Sequence, residues 1–230
     1  MHENDVMGLP LVVRDLVVQT ERSRVLLDVP ELDISPGTRL GMRGPSGAGK
    51  STFLFTLAGL LDRATGRVTW GETDLLSLSG SGRAAFRARH VGLIFQDFLL
   101  FDELSPLANA GLAGLFAPRS ARAVIAERAA AQLTALQVPI EHRSTASFSG
   151  GERQRVAVAR ALATDPAVLL ADEPTASLDR AAADRLIADL TGHAAQSRRT
   201  MIVVSHDGAL LDAMDRVITI TDGRITEDRS

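Results

Sequence analysis

The stretch Gly44-Pro45-Ser46-Gly47-Ala48-Gly49-Lys50-Ser51 constrains this chain more than any other. It reads G-x-x-x-x-G-K-S, between a short apolar run, Leu40-Gly41-Met42, and Thr52-Phe53-Leu54-Phe55-Thr56-Leu57-Ala58. Strand, glycine loop, then helix is the context in which this pattern has a mechanism. Glycine has no Cβ to obstruct an approaching anion or to forbid positive φ, so the backbone can wrap closely. Successive N–H groups and the helix N-terminus then point at phosphates. Lys50 would reach the β- and γ-phosphates, and the Ser51 hydroxyl would be a ligand of Mg²⁺. Gly44 through Ser51, with Thr52 beside them, are therefore the candidate nucleotide-binding residues.

Composition limits the use of that nucleotide. A chain of 230 residues, 45% hydrophobic, suits one large domain or a core with a smaller lobe. Cys 0 excludes disulfides, thiolate metal sites and a cysteine nucleophile. A net charge of −3 offers no basic surplus, so no nucleic-acid partner is expected. Met1-His2-Glu3-Asn4-Asp5 lacks the basic and apolar regions of a secretory signal. The most apolar run, Phe53 to Leu61, is far short of the roughly 20 residues that span a bilayer. A soluble protein is expected, one that acts at a membrane only through another chain.

Along the chain, Met1 to Pro10 read as frayed. Strand patterns follow over Leu11–Val18 and Val25–Ile34, separated by the polar turn Glu21–Arg24. Ser35-Pro36-Gly37 is a turn, and Thr38–Met42 feeds the glycine loop. Three strand-like pieces ahead of the loop predict an antiparallel β layer laid against the core. A helix is predicted over Lys50–Gly59, a short strand over Gly66–Gly71, and a helix over Arg83–Arg89 whose arginines form a solvated face. Val91–Phe95 reads as a buried strand. From Asp97 to about Arg143 the β signal vanishes and an Ala-rich helical pattern dominates, above all Ala121–Leu136. Ala167–Leu170 and Thr200–Val204 are all-apolar strands of the buried parallel type. Ser147–Ala163 is turn then helix, Asp184–Leu190 is helical, and Val217–Ile225 is a hairpin turning at Asp222-Gly223.

Several further stations carry chemistry. Val168-Leu169-Leu170-Ala171 ends in Asp172-Glu173. A carboxylate at a strand end beside a phosphate loop suits Mg²⁺, because hard cations take oxygen ligands. Glu173, one residue on, is placed to orient or deprotonate an attacking water. Gln96 closes its strand and opens the helical stretch, with an amide able to face both Mg²⁺ and water. His206 follows the strand Thr200–Val204 and is placed to hydrogen-bond a γ-phosphate. His2, His90, His142 and His193 read as ordinary surface or core histidines. Ser149-Gly150-Gly151-Glu152, opening a helix, offers a hydroxyl, N–H groups and a helix dipole: a second anion site in one chain. The glycine loop already forms a complete site, so this one suits the nucleotide of a neighbouring subunit.

Taken together, Gly44–Ser51, Gln96, Ser149-Gly150-Gly151-Glu152, Asp172-Glu173, Ser177-Leu178-Asp179 and His206 resemble the nucleotide-binding subunit of an ATP-binding cassette (ABC) transporter. They match that family's Walker A, Q-loop, signature, Walker B, D-loop and H-loop in order, from about Leu11 to Ile225. The resemblance implies an α/β fold: a P-loop NTPase core with a mostly parallel sheet, an N-terminal antiparallel β layer and an inserted α-helical subdomain. Its boundaries are a core over 10–96 and 155–230 and a helical subdomain over 97–154. It implies an ATPase using ATP and Mg²⁺, with Glu173 as general base, His206 and Gln96 catalytic, and Ser51, Gln96 and Asp172 at the metal. It also implies two copies paired head to tail, each P-loop closing on the partner's Ser149-Gly150-Gly151. A transmembrane permease subunit would dock on the helical subdomain and hold the protein to the cytoplasmic face of the membrane. Val91 to Leu100 and Ser149 to Ala157 resemble the lipoprotein-releasing and macrolide-exporter branch. The Phe148-Ser149 start also resembles the phosphonate-degradation ATPases, so a non-transport ABC ATPase with soluble or cell-envelope partners is the alternative.

Departures from the family pattern carry an expectation of their own. The family usually stacks adenine on an aromatic ring after the first strand; this chain has Tyr 0 and the matching position is Thr20, where Arg22 or Arg24 could stack as a guanidinium plane instead. Modest discrimination of ATP from GTP follows. Phe148 stands for the common Leu and Glu152 for the common Gln, and both keep a helix start. A stretch of this length without sustained heptads does not suit a coiled-coil DNA-maintenance ATPase. A P-loop kinase would need neither Ser149-Gly150-Gly151 nor His206.

Overall fold

The computed structural model describes residues 8–139 and 144–229. Three strands precede the glycine loop: β1 (Leu11–Gln19), β2 (Val25–Ile34) and β3 (Arg39–Arg43). In β1 every second residue is buried until Asp15, whose φ of 49° interrupts the alternation before Leu16 and Val18 resume it. Then come α1 (Lys50–Leu57), β4 (Ala64–Trp70), β5 (Thr73–Asp74), α2 (Gly80–His90) and β6 (Val91–Ile94). The middle of the chain holds α3 (Pro106–Ala110), α4 (Arg119–Ala135) and α5 (Gly150–Leu162). The remainder alternates β7 (Val168–Asp172), α6 (Arg180–Gln196), β8 (Thr200–Val204), α7 (Gly208–Asp212), β9 (Arg216–Thr221) and β10 (Arg224–Arg229).

The antiparallel layer forms, but with a different third member. Its order is β2-β1-β4-β5, while β3 sits inside a six-stranded sheet of order β10-β9-β3-β8-β7-β6. The burial of β3 explains the difference: Leu40, Gly41 and Met42 are consecutive and all buried, which an alternating half-exposed strand cannot be. Contacts β9-β3, β3-β8, β8-β7 and β7-β6 are parallel, and β10 alone is antiparallel.

This sheet divides the interior in two, because side chains of a strand alternate between faces. Val168, Leu170, Ile202 and Val204 join one cluster with Phe53, Leu54 and Leu57 of α1 and the inner face of the antiparallel layer. Leu169, Ala171, Met201 and Val203 join the other, with Val156 and Val158 of α5, Leu186 and Leu190 of α6, and Ile125 and Leu133 of α4. Each fully buried Leu, Ile or Phe contributes about 1.5–3 kcal/mol. The Trp70 indole N–H donates to the Leu57 carbonyl at 2.9 Å, fixing the layer to the end of α1.

Two readings need correction. Gly8-Leu9-Pro10 is not frayed: the Gly8 N–H donates to the Arg198 carbonyl at 2.9 Å and Thr200 Oγ1 donates to the Leu9 carbonyl at 2.7 Å. The residues before Gly8, and His2 and His142 with them, lie outside the described residues. Arg83 and Arg87 are not simply solvated. Arg83 donates to the Leu61 carbonyl and Arg87 to that of Gly59 at 2.7 Å, so both close off the chain where α1 ends. Among the described residues, no helix is long and apolar enough to cross a membrane.

Candidate functional site

At the end of β3 the chain turns through Gly44 with φ 147°, where a Cβ would meet the Ile220 carbonyl oxygen at 1.9 Å. Gly49, with φ 100°, is the N-cap of α1, and a Cβ there would meet the Leu26 carbonyl oxygen at 2.9 Å. Both positions exclude a side chain on backbone grounds. The hairpin joining β9 and β10 braces the loop from below: the Gly223 N–H donates to the Ala48 carbonyl at 3.0 Å, and the Asp28 N–H to the Gly223 carbonyl at 2.8 Å. Lys50 is buried and folds over the loop, its Nζ donating to the carbonyls of Gly44 at 2.8 Å and Pro45 at 2.9 Å. The free N–H groups at the start of α1 add the positive end of its dipole.

The carboxylates arrive from β7, two strands away in the sheet. Ser51 Oγ donates to Asp172 Oδ1 at 3.0 Å. Burial pushes the Asp172 carboxyl above its ordinary value, against the Ser51 hydrogen bond and the Lys50 charge. Glu173 then leaves the strand with φ 46°, its N–H donating to the Val204 carbonyl at 2.9 Å. A left-handed non-glycine residue costs about 1–3 kcal/mol, and such strain concentrates at functional sites. Its carboxylate accepts from the His206 backbone N–H at 3.3 Å and stands 3.4 Å from His206 Nε2. Burial raises the Glu173 carboxyl too; His206 and Lys50 oppose the rise and the Asp172 charge adds to it.

Ser46, Gly47, Lys50, Ser51, Gln96, Glu173 and His206 line one open cleft of about 480 Å³. Ala48, Gly49 and Thr52 line a smaller adjoining hollow of about 160 Å³ with Leu26. The oxygen donors of Ser51 and Asp172 fit Mg²⁺, since a hard cation needs them and a buried carboxylate gains from a counter-charge. Among the described residues no group of three His, Asp or Glu side chains converges on a metal. Sequence reasoning missed Thr175, Ala176 and Asp207, which also line the cleft. Asp207 pairs with Arg180 at 3.0 Å, next to Asp179. Its adjacency to His206 was the available signal.

Ser149, Gly150 and Gly151 are absent from the lining of both hollows. Ser149 caps α5 with a reciprocal capping box: the Glu152 N–H donates to Ser149 Oγ at 3.3 Å and the Ser149 N–H to Glu152 Oε2 at 2.8 Å. Neither glycine has positive φ. A Cβ on Gly150 would stand 3.3 Å from the Ser177 carbonyl oxygen, whereas one on Gly151 would come no closer than 3.6 Å, to Arg155 Nη1. Ser177 and Leu178 thus lie against this helix start, and Asp179 caps α6 through the Ala182 N–H at 2.8 Å. Thr20 sits in a tight turn, its N–H donating to the Arg24 carbonyl at 2.9 Å, with Arg22 and Arg24 both exposed.

Comparison with known proteins follows the same lines. The family model described as ABC transporter matches residues 27–176. The lipoprotein-releasing system ATP-binding protein LolD of Chromohalobacter salexigens is 38% identical, over 88% of this chain and 86% of its own. LolD of Granulibacter bethesdensis is 40% identical, over 89% of this chain and 90% of its own. Among solved structures, the dimeric post-hydrolysis state of the ATP-binding cassette MJ0796, bound to ADP and Pi, superimposes with a TM-score of 0.86. It shares 27% identity and covers 96% of this chain and 98% of that one.

Proposed function

The chain belongs to the ABC transporter family as an ATP-binding subunit of the LolD type, and on that premise we propose that it hydrolyses ATP as a head-to-tail dimer that drives a separate membrane subunit. The observation that carries this reading is the bareness of Gly151. The fold requires glycine at Gly44 and Gly49, but Gly151 has room for a Cβ in its own chain. An exposed helix start with spare N–H groups and no side chain in the way suits an anion held by another molecule. A second copy, presenting its own cleft, supplies one.

In each composite site Lys50 exchanges the Gly44 and Pro45 carbonyls for the β- and γ-phosphate oxygens. Ser51 and Asp172, with Gln96 from the lining of the same cleft, would hold Mg²⁺, which when bound would neutralise charge building on those oxygens. Glu173, held by the His206 N–H, orients a water and takes its proton as the water oxygen attacks the γ-phosphorus. The bond to the β-γ bridging oxygen breaks, leaving ADP and phosphate. His206 donates to the γ-phosphoryl group, and Ser149 with the Gly150 and Gly151 N–H groups of the second copy closes the far side. Lys50, Ser51, Glu173 and His206 thereby divide the work between binding and chemistry.

In this reading residues 10–96 and 155–230 hold nucleotide and residues 97–154 receive the membrane partner. What supports the docking is an apolar hollow of about 880 Å³ lined by Phe116, Ala117, Val124 and Ile125 of that stretch and, on its other side, by Ala84 and Ala88 of α2, with Phe116 85% exposed. A hollow this apolar fits a short helix of a permease subunit, and through it the protein is peripheral on the cytoplasmic face. The test is Mg²⁺-dependent ATP turnover by the full chain, alongside Glu173→Gln. The variant should keep ATP binding, lose turnover by about 10²–10⁴-fold and accumulate as a dimer. A Glu173→Gln chain turning over at the wild-type rate would remove Glu173 as the base.

A further inference from the structure

The loop that follows Gln96 is held by the helix that begins at Ser149. Phe98 and Leu99 are consecutive non-glycine residues with φ of 59° and 49°. The Phe98 N–H donates to the Phe95 carbonyl at 3.1 Å and the Leu99 N–H to the Asp97 carbonyl at 2.6 Å, closing a tight turn round Gln96. Both carbonyls of the left-handed pair accept from one side chain: Arg160 Nη2 donates to Phe98 at 2.6 Å and Nη1 to Leu99 at 2.5 Å. Arg160 lies near the end of α5 and is half-buried. Among the described residues no carboxylate pairs with it, and burial lowers its pKa. A planar guanidinium bridges the two neighbouring carbonyls from two nitrogens held in a rigid fork; an ammonium carries its donors on one nitrogen at the end of a flexible stem and lacks that fixed geometry.

The far end of the same loop is tied to the start of α5. Asn109, fully buried, accepts from the Phe101 N–H at 2.9 Å and donates to the Phe101 carbonyl at 2.9 Å. Thr145 Oγ1 donates to that carbonyl as well, at 3.0 Å, and Arg153 pairs with Asp102 at 2.8 Å. Residues 98–105 are therefore fastened to the Ser149 helix at both ends, and Gln96 stands just ahead of the fastened stretch.

We propose that Arg160 is a positioning residue for hydrolysis: by clamping the Phe98 and Leu99 carbonyls it fixes where Gln96 stands in the cleft and makes Gln96 and Ser149 move as one body. The inference rests on the ATPase reading above. It assigns to the second half of α5 a task that burial of its apolar face does not require, since Val156, Ala157 and Ala159 already secure the helix to the core.

A double-mutant cycle on the full chain separates this role from a structural one, because residues acting as a unit are not additive. Arg160→Met and Gln96→Ala should each lower ATP turnover about tenfold, with binding of a fluorescent ATP analogue within about twofold of wild type. The double variant should be no slower than the slower single. Arg160→Lys, which keeps the charge and N–H donors but not the rigid planar fork, should recover part of the loss. If Arg160→Met does not fold, the cycle is run with Arg160→Lys and the same non-additivity is expected. Losses that multiply in the double variant, or wild-type turnover in Arg160→Met, would overturn the clamp while leaving the ATPase reading intact. A wild-type chain without turnover would overturn that reading and the clamp with it.

Discussion

Two glycine-containing loops in this chain open helices and present N–H groups, yet they are built on opposite grounds. The first, Gly44 to Ser51, is glycine-rich because its own surroundings forbid anything else: Gly44 would drive a Cβ into the Ile220 carbonyl, and Gly49 has φ 100°. The second, Ser149 to Gly151, has ordinary backbone, a capping box and room for a side chain at Gly151. The first loop is shaped from within by β2, β9 and the hairpin after it. The second has nothing in its own chain that requires glycine at Gly151, which is what the proposed second copy would require instead. The lesson is that glycine required by the fold can be told from glycine required by a partner by asking what a Cβ would strike.

Adding that Cβ is the sharpest way to break the comparison. Gly44→Ala should destabilise the chain by more than about 3 kcal/mol and abolish nucleotide binding, seen in thermal melts and in titration with a fluorescent nucleotide. Gly151→Ala should leave stability within about 1 kcal/mol, since alanine suits a helix better than glycine. It should nonetheless lower turnover about ten- to a hundredfold, equivalent to a lost charge-stabilising contact. If Gly151→Ala instead destabilised the chain as much as Gly44→Ala, the distinction between the two loops would fail.

The pH response sharpens it further. Burial raises Glu173, so as pH falls the base takes up its proton earlier than an ordinary carboxylate would. The acid limb of the pH–rate profile should therefore lie above the ordinary carboxylate range. Gly151→Ala should leave that limb where it is at a lower overall rate, because the second loop supplies N–H donors rather than the base. Stability carries the opposite sign. A carboxyl raised in the folded chain binds its proton more readily folded than unfolded, so stability is lost as pH rises from the ordinary value through the raised one. Asp172 is raised in the same direction. Glu173→Gln should thus raise the thermal midpoint of the nucleotide-free chain at neutral pH. The smallest effect expected is at the base: with Thr20 where a ring is usual, ATP should be preferred over GTP by less than about tenfold in competition binding, one planar stack being worth about 0.5–1.5 kcal/mol.

Much of this was legible in the sequence, for reasons that differ by region. The runs at Val168–Ala171 and Thr200–Val204 announce buried parallel strands because both faces need apolar residues, and both are wholly buried. Asp172 ends β7, and Glu173, Gln96 and His206 each come just after β7, β6 and β8, so their gathering at the carboxyl ends of neighbouring strands is a consequence of parallel topology. The misreadings came where long-range partners decide. β3 left the antiparallel layer because β8 and β9, far along the chain, flank it. Gly8 to Pro10 is pinned by Arg198 and Thr200, 191 residues beyond Leu9 in the latter case. The support that Gly223 gives to Ala48 is of the same kind. No local pattern encodes such contacts.

The central claim, that one copy's glycine loop works against the other copy's Ser149-Gly150-Gly151, is tested most directly by mixing two disabled chains. Lys50→Ala lacks the phosphate grip but keeps its second loop, and Gly151→Asp keeps the grip but repels phosphate from the second loop. Each alone should be silent in ATP turnover; mixed, the heterodimer has one site built from the intact half of each, and turnover should return. Silence of the mixture after subunit exchange, or full turnover by either variant alone, would contradict the account.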